Sequence, residues 1–119
     1  MRRSTALAML LVTLACGRAE RDRARDEATL RAQLATMRAA IAAYTKTNGH
    51  GPATLREAMP IIPVDPLTHS ATTWRLTTEE TVRVDDFTTN PVTAGRNAII
   101  DVHSGAPGRD GQGRGYGEY

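Results

Sequence analysis

The sequence predicts an α+β fold in which one long N-terminal helix packs on a small antiparallel sheet of about three strands. Three observations indicate it: an early stretch of apolar residues at helical spacing, later short segments of alternating residues, and a glycine-rich end. With 119 residues and only 4% aromatic side chains, the chain can bury one small core made mostly of aliphatic side chains.

The long helix is predicted from about residue 22 to residue 47. Its apolar residues recur four and three positions apart, which places them on one stripe: Leu30, Leu34, Met37, Ile41 and Tyr44. Alanines, which are strong helix formers, fill most of the positions between them. Gly49 in "TNGHGP" suits the left-handed conformation just past a helix end. At ~1.5 Å per residue such a helix would be roughly 39 Å long.

Shorter elements are predicted after this helix. In "TLREAM", Thr54 and Glu57 have the spacing of a capping box at the start of a second, short helix. "IIPVDPLTHS" predicts an extended connector restricted by its prolines. Alternation in "TTWRLTT" and "TVRVDD" predicts two strands, with Trp74 and Leu76 on one face and a hairpin turn at residues 79–80. A third strand is predicted at "NAIIDVHS". Residues 105–117 hold six of the ten glycines and predict a loop.

Cys16 is the only cysteine, so it cannot form a disulfide within the chain. Arg2 and Arg3 precede an apolar run of ten residues at 6–15, which is the length of a secretory signal and too short for a spanning helix of about 20 residues. "VTLAC" is similar to the end of bacterial lipoprotein signals, in which the cysteine becomes the first residue and carries lipid, although Thr13 stands where leucine is usual. The alternative is an ordinary signal cut elsewhere, with Cys16 incidental.

We therefore divide the chain into a lipoprotein-like signal at 1–15, a charged tether or helix start at 16–29, and an α+β domain at 30–119. Removal of the signal would take the formal charge from +2 to zero, which argues against bulk nucleic-acid binding. Arginines and acidic residues alternate along "GRAERDRARDEA". That mixture predicts a solvated, salt-bridged face rather than a phosphate or lipid-headgroup site.

Three stretches of the domain resemble one protein family in their order and spacing. They are "LRAQLATMRAAIAAYTKTNGHGPATLREAM", "IPVDPLTHSATTWRL" and "IIDVHSGAPGRDGQGRGYGEY". The chain resembles the major pseudopilin of bacterial type II secretion systems over residues 30–119 and, more loosely, type IV pilins. Tyr119 stands where the family commonly has tryptophan. The resemblance implies a pilin-like fold and a structural, non-enzymatic subunit whose partners are other pseudopilins or secretion-system proteins.

The start of the chain departs from that family. Pseudopilins carry a Gly-Phe-Thr-Leu-x-Glu type of processing site and then about 20 apolar residues, whereas this chain has "GRAERDRARDEA". Each charge in a hydrocarbon layer would cost several kcal/mol. A lipid on Cys16 would replace the apolar anchor and hold the protein in the envelope, facing the periplasm, and Gly17 in place of an aspartate favours the outer membrane. The alternative function is a stand-alone envelope lipoprotein that uses a pilin-like head as a binding module.

The resemblance also implies a calcium ion in the C-terminal loop, with Asp101, Ser104 and Asp110 as the oxygen-bearing candidates. Calcium takes six to eight oxygen ligands, so main-chain carbonyls and waters would complete the set. The alternative is that Asp101 faces solvent on a strand and that Asp110 is an ordinary turn residue. The spacing does not match an EF-hand loop.

The other polar residues give no motif for zinc or for catalysis. His50, His69 and His103 are scattered and lack the spacing of a zinc site. His103 and Ser104 are adjacent on a predicted strand, so their side chains should point to opposite faces and not form a catalytic pair. The sequence therefore predicts no enzyme, no catalytic residue and no cofactor apart from the candidate calcium ion.

Overall fold

The computed structural model describes residues 3–79 and 97–119, with side chains from residue 15 onwards. Two helices, α1 (Arg3–Asn48) and α2 (Leu55–Ala58), precede two strands, β1 (Arg75–Thr78) and β2 (Ile99–His103). A short 3₁₀ turn at Tyr116–Glu118 follows. The architecture is α+β, with a long N-terminal helix and a small antiparallel sheet of two strands in the described part of the chain.

Helix α1 is 46 residues long and begins well before the predicted start at residue 22. The charged segment continues the helix because its alternating charges fit helical spacing: Asp22 contacts Arg25 at 4.0 Å, and Arg21 Nε donates to the Gly17 carbonyl at 3.1 Å. The predicted end of the helix is confirmed, since Gly49 has φ 78° and donates its N–H to the Thr45 carbonyl. Among the described residues, no helix is long and apolar enough to cross a membrane.

The predicted apolar stripe on α1 forms one wall of the core. Leu30, Leu34, Met37 and Ile41 are at most 4% exposed. Tyr44 is only partly buried, with its hydroxyl 3.4 Å from Glu57. The opposite wall comes from α2, the sheet and the C-terminal loop, and its buried members are Leu55, Trp74, Ile99, Val102, Ala106, Tyr116 and Tyr119. The helix thus lies across the sheet and also under the loop.

The two strands pair antiparallel, with Leu76 opposite Val102. The pairing slips between Thr77, which faces Asp101, and Thr78, which faces Ile99, so a β-bulge interrupts the register. The predicted strand "TVRVDD" lies outside the described residues, and the predicted turn at residues 79–80 extends beyond them.

Trp74 and Leu76 are predicted on one face of a strand, but Trp74 lies outside the strand and the two side chains differ in burial. Trp74 is 8% exposed but precedes β1, and its indole N–H donates to the Pro63 carbonyl at 2.8 Å. Leu76 is 44% exposed. The indole is therefore buried by the connector rather than by strand alternation.

Two local predictions also need correction. The capping box does not form: Thr54 makes no side-chain cap bond, and the Glu57 carboxylate instead accepts the N–H of Ala53 at 2.9 Å. The connector is not extended throughout, because Asp65 and Ser70 form an antiparallel bridge that closes a turn. His69 takes a positive φ of 57° within that turn.

The glycine-rich end is more ordered than a plain loop. It contains an antiparallel bridge between Arg109 and Gly115 and the 3₁₀ turn that follows. The prediction that it holds no regular structure is therefore wrong at its end. Its backbone hydrogen bonds leave the two tyrosine side chains pointing into the core, at 7% exposure for Tyr116 and 8% for Tyr119.

Candidate functional site

Asp110 organises the turn at the tip of the C-terminal loop. Its Oδ1 accepts the main-chain N–H groups of Gln112 and Arg114, both at 2.9 Å. The main chain closes the same turn, because the Asp110 N–H donates to the Arg114 carbonyl and the Gly113 N–H donates to the Asp110 carbonyl. Gly113 has φ 82°, which a residue with a side chain adopts only with strain. The Asp110 carboxylate and these main-chain hydrogen bonds together hold the turn.

Tyr119 joins this turn to α1. Its hydroxyl donates to Asp110 Oδ2 at 2.6 Å and accepts from Arg31 Nη2 at 3.0 Å. The guanidinium carbons of Arg31 and Arg114 lie 4.9 and 4.7 Å from the centre of the Tyr119 ring, so the ring makes cation–π contacts with both. Tyr116 adds a second attachment, because its hydroxyl donates to Glu27 at 2.8 Å.

The Tyr119–Asp110 hydrogen bond lowers the pKa of Asp110 and contributes to raising the pKa of Tyr119. The Tyr119 hydroxyl is the main reason that the pKa of Asp110 is lowered, and the N–H groups of Arg114 and Gln112 add to the effect. Burial, and then the bond to Asp110, raise the pKa of Tyr119. The proton therefore stays on the phenol, and the charge stays on the carboxylate.

Arg38 ties β2 and the chain end to α1. Its Nε donates to Asp101 Oδ1 at 2.8 Å, and its Nη2 donates to the Val102 carbonyl at 2.8 Å and to the main-chain oxygen of Tyr119 at 2.7 Å. Burial alone would raise the pKa of Asp101, but the hydrogen bonds from Arg38 and the Val102 N–H outweigh it, so the pKa is lowered. His103 lies beside this group, with Nδ1 2.8 Å from the same Tyr119 oxygen and Nε2 3.3 Å from Asp101.

A buried pair, Asp65 and Ser104, joins the connector to the end of β2. Both residues are 0% exposed, and the Ser104 hydroxyl donates to Asp65 Oδ2 at 2.6 Å. Asp65 Oδ1 accepts the N–H groups of Leu67 at 2.8 Å and Thr68 at 3.3 Å. Asp65 is not among the site residues predicted from the sequence. The sequence does contain a signal for its role, because an aspartate just before a proline in a turn commonly accepts a hydrogen bond from the N–H group two residues later.

The three predicted calcium ligands have different partners in the structure. Asp101 binds Arg38, Ser104 binds Asp65, and Asp110 binds Tyr119 and its own turn. In the described ranges, no three His, Cys, Asp or Glu side chains are grouped as a metal site. Calcium binding stays a prediction, and an ion at Asp110 Oδ2 would have to share that oxygen with the Tyr119 hydroxyl or displace it.

The three histidines lie in separate surroundings. His50 contacts its neighbouring Gly51 carbonyl at 2.9 Å and the edge of Tyr44. His69 lies in the connector turn, and His103 lies at the end of β2. The Ser104 hydroxyl donates a hydrogen bond to Asp65, while the His103 ring contacts Asp101, so the two adjacent side chains have different partners.

Cys16 is exposed on α1, a free thiol roughly 21 Å before Leu30 at ~1.5 Å per residue. Its lipidation stays a prediction. No protein-family model, curated protein or solved structure matches this chain. The resemblance to pseudopilins therefore rests on the residues quoted for it.

Proposed function

We propose that this protein is a structural subunit, similar to a pseudopilin, of a type II secretion or type IV pilus-like system. It would be exported, anchored in the envelope, and active through contacts with other proteins. The observation that carries the proposal is one long helix with a small α+β head attached to its C-terminal half. The segment "IIDVHSGAPGRDGQGRGYGEY", which carries much of the resemblance, is the segment that fastens the loop to the helix.

The exposed part of α1 supports a role in protein contacts. Side chains from residue 15 to residue 29 are exposed or only partly buried, whereas Leu30 is fully buried. The helix therefore extends past its own core, and the charged segment stays accessible. A lipid on Cys16 would anchor this end, so the head would be held away from the bilayer by a rigid segment.

A second candidate is a stand-alone envelope lipoprotein that uses the head as a binding module. The observation that favours it is the charged surface of α1 at residues 17–28, because a filament core built from such helices would bury many charges. Calcium binding at the C-terminal loop would be compatible with either of the two candidate functions. A calorimetric titration with calcium chloride, repeated on Asp110→Asn, tests that binding directly.

Deletion of the gene separates the two candidates. We expect the deletion strain to lose secreted proteins or surface pili, and we expect the wild-type gene to restore them. Complementation with Cys16→Ser should fail if the lipid replaces the apolar anchor. A normal set of secreted proteins together with intact pili would overturn the subunit proposal and leave the lipoprotein module.

Mass spectrometry of the protein from its membrane fraction tests the anchor. We expect a mature chain that begins at Cys16 and carries added acyl mass. Density-gradient separation of the membranes should place it in the outer membrane. A chain that begins at another residue, without lipid, would contradict the anchor and leave Cys16 without a role.

A further inference from the structure

A cleft of about 240 Å³ opens between α1 and the C-terminal loop. Arg31 and Arg38 come to it from α1, and Arg114 comes from the loop. Ala35 and Glu118 also border the cleft, and the buried Leu34 lies at its base. Three arginine residues thus line one small opening.

Contacts within the protein already hold the three arginines in place. Arg38 makes hydrogen bonds to Asp101 and to two main-chain oxygens. Arg31 and Arg114 lie on the Tyr119 ring, and Arg31 also donates to its hydroxyl. The side chains of Arg38 and Arg114 nevertheless remain 38% and 51% exposed. Because their side-chain freedom is already reduced, an anion would bind with little further ordering cost.

The guanidinium groups retain unused hydrogen-bond donors. A guanidinium carries five N–H donors in a fixed plane. Within the described ranges, Nη1 of Arg31 and Nη1 of Arg38 have no hydrogen-bond partner. Arg38 is paired with Asp101 and Arg114 with Asp110, but no described carboxylate lies within 4.0 Å of Arg31. Of the three arginines that line the cleft, Arg31 is therefore the one without a described carboxylate at close range.

We propose that this cleft binds a phosphate group, carried either by free phosphate or by a phosphomonoester such as a lipid headgroup. A phosphate dianion matches the planar donor pairs of arginine and gains from more than one guanidinium at once. The inference goes beyond the proposed function, which assigns the protein no such ligand. The cleft differs from the charged segment at residues 17–28, where acidic residues are mixed with the arginines.

Titration of the purified protein with inorganic phosphate, at constant ionic strength, tests the cleft. Two-dimensional NMR should show saturable shifts of the signals from Arg31, Arg114 and Tyr119. Arg31→Gln should weaken binding about tenfold, the usual cost of losing one charge-assisted hydrogen bond. Arg25→Gln is the matched control, because Arg25 lies on the same helix, 78% exposed and away from the cleft. Its phosphate affinity should equal that of the wild type.

Glu118→Gln is a second variant, for which we expect tighter rather than weaker phosphate binding. A loss of folding could not produce that result. Glu118 is the acidic side chain of the lining and makes no ion pair with another described residue, so its neutral variant should bind phosphate a few-fold more tightly. Each variant is first checked for a native NMR spectrum. Equal losses of affinity in Arg31→Gln and Arg25→Gln would overturn the site and show that the arginines only fasten the loop.

The source of the phosphate is decided by a second arm with a short-chain phosphatidate below its micelle concentration. Binding of phosphatidate and inorganic phosphate alike supports a site for free phosphate. Binding of phosphatidate alone supports a headgroup site. If neither probe binds, the proposal is overturned. The gene-deletion experiment tests the proposed function separately, because its result does not depend on phosphate binding.

Discussion

The hydroxyl of Tyr119 lies 2.6 Å from the carboxylate of Asp110, nine residues earlier in the chain, and donates a hydrogen bond to it. Each residue is only 8% exposed, so water could do little to replace this hydrogen bond if it were removed. Asp110 also holds the turn at the loop tip, and Tyr119 also accepts from Arg31 on α1. One buried hydrogen bond thus connects the geometry of the loop to its attachment on the helix.

Tyr119→Phe should lower the free energy of unfolding by about 1–3 kcal/mol, because the buried Asp110 carboxylate loses a partner and Arg31 loses an acceptor. Tyr44→Phe is the matched control, since its hydroxyl makes a single 3.4 Å contact with Glu57 at the surface. That variant should unfold as the wild type does. Urea denaturation measures both. Equal unfolding midpoints for the two variants would contradict the role of the Tyr119–Asp110 bond.

The protein should lose stability in acid. The pKa values of Asp101 and Asp110 are both lowered in the folded state, so the folded protein binds protons at these sites more weakly than the unfolded chain. Their contribution is complete above the ordinary pKa of about 4 and is lost as the pH falls through the lowered values. Urea midpoints from pH 6 down to pH 2.5 should therefore fall for the wild type.

Asp101→Asn should flatten this acid loss, because the amide cannot titrate. Asp22→Asn is its control, since the Asp22 carboxylate makes only a 4.0 Å contact with Arg25 on the helix surface. The control should lose stability in acid as steeply as the wild type. If Asp101→Asn follows the same steep curve, Asp101 is not one of the groups responsible.

Gly105→Ala should destabilise the fold by at least about 2 kcal/mol, in the range of overpacked sites. A Cβ at Gly105 would collide with the main-chain oxygen of Thr73, which cannot move without shifting the start of β1. Gly111→Ala is the control, because a Cβ there meets nothing within 4 Å. It should change stability by less than about 0.5 kcal/mol. Thermal melting followed by circular dichroism distinguishes the two, and a native melting point for Gly105→Ala would refute the close approach.

Leu34→Ala should cost about 2–5 kcal/mol, as expected for a leucine buried on all sides. Leu34 is 1% exposed between α1 and the opposite wall of the core. Leu76→Ala should cost less than about 1 kcal/mol, because Leu76 is 44% exposed and loses little buried area. Guanidinium unfolding gives both values. The helix-on-sheet packing would be in error if the two leucines proved equally costly to truncate.

Ser104→Ala should cost about 1–3 kcal/mol, since it leaves a buried oxygen of Asp65 without its donor. It also removes the acceptor of the Ala106 N–H, which lies 3.1 Å from the Ser104 hydroxyl. Thr47→Ala is the comparison, because that hydroxyl makes an exposed bond to the Ala43 carbonyl four residues back. Chemical unfolding of both variants tests the difference, and a harmless Ser104→Ala would mean that Asp65 finds another partner.

The sequence by itself determined the helix and the residues it buries. The spacing of Leu30, Leu34, Met37 and Ile41 predicts the buried stripe, and Gly49 predicts the helix end, because both depend on interactions within a few residues of chain. The same local reasoning left two alternatives at the charged segment, a tether or a helix start, and the structure shows it within the helix. Helical salt-bridge spacing and continuity with the stable part of α1 make it helical.

Only the tertiary structure decided which side chains meet. Asp101, Ser104 and Asp110 are close in sequence, yet their partners are Arg38, Asp65 and Tyr119, at separations of 63, 39 and 9 residues. No local pattern encodes such pairs, because they depend on where α1, the connector and the loop come together. The cleft with three arginines has the same origin: two arginines come from α1 and the third from a loop more than 70 residues later. Burial of the apolar stripe brings that loop against the helix, and this packing places the polar side chains within contact distance of one another.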